Sequence, residues 1–121
     1  MIRAGPRAAR ALGCALRLSV AGAGPDRAAL EEQARDHGVA ADFHGWVSAD
    51  RLVALMRQAD LLAVPSVWPE PFGLVGIEAG CVGLPAVAYQ LGGIADWLMP
   101  GTSGELAPGD PPTVDGLAEA I

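Results

Sequence analysis

Apolar positions recur along this chain in two alternating rhythms, short continuous runs and repeats of helical spacing. Residues 16–21 form a run that predicts a buried strand, which leads into Gly22-Ala23-Gly24-Pro25. A helix is expected next: Pro25 suits a first helical position, Leu30 and Ala34 share a face, and Gly38 ends it. Residues 42–45 predict a second strand. Ser48 can cap the following helix, in which Leu52, Leu55, Met56 and Ala59 recur at i, i+3, i+4 and i+7. A third strand is expected over 61–64, stopped by Pro65. The turn Trp68-Pro69-Glu70-Pro71 then opens a helix over 72–82. A fourth strand over 84–89, a loop at Gly92-Gly93, a helical turn near 95–99, a weak strand over 105–107 and a helix from Thr113 follow. Residues 6–12 predict an amphipathic helix ahead of the first strand.

Strand–helix units joined by short loops imply an α/β fold, a doubly wound, Rossmann-like parallel sheet with helices on both faces. Ligands of such sheets collect at the carboxyl ends of the strands. The loops after Ala21, Gly45, Val64 and Tyr89 are therefore the ones that can carry a site.

Length and composition narrow the picture. The 121 residues predict one domain, and 51% are apolar but only 5% aromatic, which favours helices packed closely on a sheet. The net charge is −6 and every basic residue is an arginine, so neither nucleic acid nor an anionic membrane is an expected partner. Arg3, Arg7, Arg10 and Arg17 precede the first acidic residue, Asp26, a superficial likeness to a targeting peptide. Arg17 interrupts the apolar stretch and no clean cleavage site follows, so a cytoplasmic protein is expected. Cys14 and Cys81 lack metal-ligand spacing and are expected as buried, reduced thiols.

The segment Glu70-Pro71-Phe72-Gly73-Leu74-Val75-Gly76-Ile77-Glu78 holds the most chemistry. At ~1.5 Å rise per residue its two carboxylates stand up to ~12 Å apart. That is too far for a retaining glycosidase pair, which needs ~5 Å. It suits one elongated ligand with a polyol at each end, because ionised carboxylates accept hydroxyl hydrogen bonds. Between them, the amides of Phe72, Gly73 and Leu74 are the free donors of a helix start, which attracts phosphate. Against this, Glu70 could merely begin the helix and Glu78 merely be solvated. Gly22-Ala23-Gly24 resembles a dinucleotide fingerprint, but Arg27 stands at its third glycine, so a tight turn is preferred to a nucleotide cofactor site. His44 is either a ligand neighbour or a satisfied structural histidine, and His37 beside Gly38 reads as helix-end chemistry. Trp68 and Trp46 could stack on a ligand or anchor loops, whereas Trp97 reads as packing. The two histidines are not spaced for zinc, and no metal is expected.

Several pieces stand in an order that resembles the C-terminal domain of retaining GT-B glycosyltransferases, glycosyltransferase family 4. They are Val20-Ala-Gly-Ala-Gly-Pro25, Phe43-His-Gly-Trp-Val47, Ala59-Asp-Leu-Leu-Ala-Val-Pro-Ser66, the 70–78 segment, Gly83-Leu-Pro-Ala-Val-Ala88, Gly92-Gly-Ile-Ala-Asp96 and Pro108-Gly-Asp110. The resemblance covers residues 18–121, within a single partial nucleotide-sugar-binding domain over 1–121. It implies that Glu70, the catalytic-site carboxylate, holds hydroxyls of the donor sugar and that Glu78 binds ribose. The amides of Phe72, Gly73, Leu74 and Val75 would face sugar and phosphate oxygens, Val47 would contact the base, and Gly22 would join the substrate-binding set. The substrate implied is a nucleotide-diphosphate sugar, with no cofactor and no metal. The implied mechanism is front-face, the donor phosphate helping to deprotonate the acceptor.

The resemblance also marks departures. The family's first strand, with its phosphate-neutralising Arg and Lys, and its N-terminal acceptor domain have no counterpart in this sequence. In a sheet ordered 3-2-1-4-5-6 the first strand is central. The strands at 16–21 and 61–64 must then pair directly, leave open edges or recruit another chain, with self-association as one outcome. Asp96 stands where glutamate is usual, and Gly80 inside the motif helix costs roughly 1 kcal/mol relative to alanine. The leading expectation is the donor-binding part of a retaining glycosyltransferase. The alternatives are a truncated or non-catalytic nucleotide-sugar-binding module and, disfavoured by the Glu70-to-Glu78 spacing, a sugar-nucleotide epimerase.

Overall fold

A computed structural model describes residues 1–121. Its helices are α1 (Gly5–Leu12), α2 (Arg27–Asp36), α3 (Ala49–Met56), α4 (Leu74–Gly80) and α5 (Val114–Ala120). Its strands are β1 (Arg17–Ala21), β2 (Ala40–Gly45), β3 (Leu62–Val64), β4 (Ala86–Tyr89) and β5 (Gly104–Ala107), with a 3-10 helix over Gly92–Asp96. All strand pairs are parallel, as the alternating units predict.

The strands divide into two sheets, β1-β2 and β3-β4-β5. Of the three outcomes open to the sequence, β1 and β3 take the open-edge one: neither pairs with the other. In the order 3-2-1-4-5-6 the place between them is that of the central strand. The expected parallel α/β class holds, with its strands in two sheets.

β4 is the structural centre, with all four residues buried. Val87 and Tyr89 join Ala4, the N-cap of α1, and Ala8 within it, Ala107 of β5, and Leu117 and Ala118 of α5. Ala86 and Ala88 join Val64, Ile94 and Leu98, while Met56, Ala79 and Leu84 form a third cluster between α3 and α4. Alternate residues of a strand face opposite sides of a sheet, so these clusters put helices on both faces.

Local chemistry explains the boundaries. The Ser48 side chain accepts from the Arg51 amide at 3.3 Å, and Thr113 caps α5 by accepting from the Gly116 amide at 3.0 Å. His37 is the C-cap of α2. The motif helix begins at Leu74, two residues later than expected, because Gly73 has φ +77° and cannot continue an α-helix. It also ends at Gly80, so that glycine sits at a helix end, where its cost is smaller. Residues 92–93 belong to the 3-10 helix rather than to a free loop. Both cysteines are exposed instead of buried: Cys14 follows the left-handed cap Gly13, and Cys81 is the C-cap of α4.

Candidate functional site

The loop from Pro65 to Gly73 leaves the carboxyl end of β3 and delivers Glu70 to the start of α4. Its shape is set from three sides. The Ser66 hydroxyl donates to Glu70 Oε1 at 3.0 Å. The Gly93 amide donates to the Glu70 carbonyl at 2.8 Å. Trp97 Nε1 donates to the Phe72 carbonyl at 2.6 Å.

Glycine makes these approaches possible. A Cβ on Gly92 or Gly93 would overlap the backbone of Glu70 or Pro71, and one on Gly76 would overlap the Trp97 ring. A Cβ on Gly73 would lie 2.8 Å from Ile94 Cδ1, on a backbone already at φ +77°. Trp97 is therefore packing, as expected, but packing that fixes the Glu70 loop. Gly76, a glycine inside the motif helix, was the sequence signal for it.

The amides of Phe72, Gly73, Leu74 and Val75 donate to no acceptor within the chain. Four consecutive unpaired donors require water or a ligand. Glu70 is half-buried and Glu78 exposed, the latter just over one turn into α4. No arginine lies in salt-bridge contact with either. The surface around them is open and apolar, with Trp68 at 71% exposure and Leu74 at 68%.

The other site residues lie at the end of the two-stranded sheet. Gly22 follows β1, and its amide donates to the Gly45 carbonyl at 2.7 Å. Val47 is half-buried between β2 and α3, beside Trp46 at 88% exposure. His44 is engaged structurally: its Nε2 lies 2.7 Å from the Ser19 hydroxyl. On the same strand pair Arg17 donates to Asp42 at 2.6 Å, holding the Asp42 carboxyl below its ordinary range. Two concavities, of about 500 and about 250 Å³, lie along α2, β1 and β2, and neither is lined by Glu70 or Glu78.

Known proteins share this fold. The chain is 40% identical over 107 residues to a glycogen synthase of Mycobacterium tuberculosis, covering 86% of this chain and 25% of that protein. A sucrose-phosphate synthase from Thermosynechococcus elongatus superposes with a TM-score of 0.81 at 29% identity, covering 99% of this chain and 31% of the other. The Anabaena protein HepE, solved in complex with UDP-glucose, superposes at 0.79 with 28% identity, covering 98% and 33%. The chain thus spans about a quarter to a third of the length of these relatives. Its parallel α/β architecture is that of the C-terminal half of GT-B glycosyltransferases. The family model for glycosyl transferases group 1 matches residues 1–121, upstream of Leu18 as well as beyond it, and the chain belongs to that family.

Proposed function

We propose that this chain is the donor-binding part of a glycosyltransferase that uses a nucleotide-diphosphate sugar and retains the configuration of the transferred sugar. One observation carries the reading. A carboxylate, Glu70, and four consecutive amides without acceptors follow one another from the loop after β3 into the start of α4. Such donors suit a diphosphate, and the carboxylate suits sugar hydroxyls. The complex of HepE with UDP-glucose lends the ligand class.

In this reading Glu70 holds the donor sugar, and the amides of Phe72, Gly73, Leu74 and Val75 hold phosphate oxygens. Glu78 takes the ribose hydroxyls, Val47 lies against the base, and Gly22 permits close approach. The protein supplies position and charge stabilisation, with no metal or cofactor. An acceptor domain outside these residues forms the opposite wall of the cleft, over the exposed Trp68 and Leu74.

Calorimetric titration of UDP-glucose and ADP-glucose into the wild type and Glu78→Ala tests the assignment. The variant is expected to bind more weakly by about 1.5–3 kcal/mol, the worth of a hydrogen bond to a charged group. Unchanged affinity would remove the ribose role. A second reading, a module that binds donor and transfers nothing, is favoured by the open surface around Glu70. Donor hydrolysis or transfer by the 121-residue chain itself would exclude it.

The unpaired edges of β1 and β3 further support self-association. Sedimentation should then show mass rising with concentration; a strictly monomeric sample with a sharp melt counts against it.

A further inference from the structure

We propose that Ser66 is a positioning residue that aims the Glu70 carboxylate at the sugar half of the donor and leaves the nucleotide half untouched. The proposal rests on the donor-site reading above. Ser66 lies two residues beyond the end of β3, after Pro65, and is half-buried. Its hydroxyl is the sole side-chain donor to Glu70, at 3.0 Å on Oε1, and no cation of the chain pairs with that carboxylate. Oε2 keeps its full acceptor capacity, which a neutral hydroxyl can use.

Backbone and side chain of Glu70 are held by different partners. The Gly93 amide fixes its carbonyl, and Trp97 fixes the next turn through the Phe72 carbonyl. Loss of the Ser66 hydroxyl therefore releases the carboxylate, with its three rotatable bonds, without releasing the amides of residues 72–75. Re-immobilising such a side chain on binding weakens affinity about two- to tenfold.

The test compares bare nucleotide with its sugar conjugate. UDP, UDP-glucose, ADP and ADP-glucose are titrated into the wild type, Ser66→Ala and Ser66→Thr. The wild type should bind a glucose conjugate more tightly than the matching nucleotide. Ser66→Ala should shrink that ratio about two- to tenfold, with the Kd of the bare nucleotide and the Tm unchanged, and Ser66→Thr should restore it. Should Ser66→Ala fail to fold, Ser66→Cys, which keeps the volume and loses most of the hydrogen bond, gives the same comparison. Equal weakening of nucleotide and conjugate would show a merely structural role and overturn the proposal, as would an unchanged ratio. A wild type that binds nucleotide without any gain from glucose overturns the Ser66 role alone. A wild type that binds no nucleotide overturns the donor site with it.

Discussion

In the β3-β4-β5 half every residue of the central strand is buried, and two apolar clusters press on it from opposite faces. In the β1-β2 half exposed and half-buried residues alternate along β1, and Ala34 of α2 is the only buried residue of its helix. Both halves use the same parallel strand–helix unit. The difference lies in what covers the second face. Residues 86–89 read Ala-Val-Ala-Tyr and are apolar on both sides, whereas β1 carries Arg17 and Ser19 on the face that also holds Asp42 and His44. Polar cross-strand pairs, Arg17 with Asp42 and Ser19 with His44, satisfy that face without a helix. Glu70, Ser66 and Trp97 all stand on the well-packed half, so the loop over 65–73 rests against its core. Gly22 and Val47 stand on a half with little core beneath it.

The widest test of this contrast is truncation in each half. Leu117→Ala, at a fully buried position, should cost about 2–5 kcal/mol in denaturant unfolding. Val20→Ala, at a half-buried position of β1, should cost about 1 kcal/mol or less. Equal losses would show that the two halves share one core and would break the comparison.

A smaller effect sharpens it through pH. In the β1-β2 half the hydrogen bond from Arg17 lowers the Asp42 pKa from its ordinary 3.8. That contribution is complete above pH 3.8 and fades as pH falls through the lower folded value. Both side chains are exposed, so the acid limb should be shallow, and Asp42→Asn should abolish it. In the other half burial raises the Tyr89 pKa above its ordinary 10.0, while its hydroxyl donates to the Thr113 carbonyl at 2.7 Å. That contribution is complete below pH 10.0 and fades as pH rises through the higher folded value. Tyr89→Phe should remove the alkaline limb alone. Melting curves across pH check both, and an acid limb that survives Asp42→Asn would place its origin elsewhere.

Much of the molecule was legible from short-range patterns. Ser48 and Thr113 announced their helices because a cap needs only a hydroxyl and an amide three residues on. The carboxylates at 70 and 78, one before a helix and one within it, were visible because a helix and the turn that opens it are local properties. The start of that helix was misplaced by two residues, since Phe72 could as well have been helical until Gly73 turned left-handed against Ile94. His44 stayed ambiguous because its partner, Ser19, is 25 residues away.

The sequence by itself determined the alternation of strands and helices, their caps and the acidic, glycine-bearing segment at the end of β3. These follow from interactions that span one turn or one strand. Tertiary structure alone decided that the strands form two sheets, that Trp97 fits the space left by Gly76, and that Gly93 holds the Glu70 carbonyl. Those outcomes depend on which surfaces meet after the chain has folded back on itself, and a residue's neighbours across 20 or more positions are set by packing of the whole.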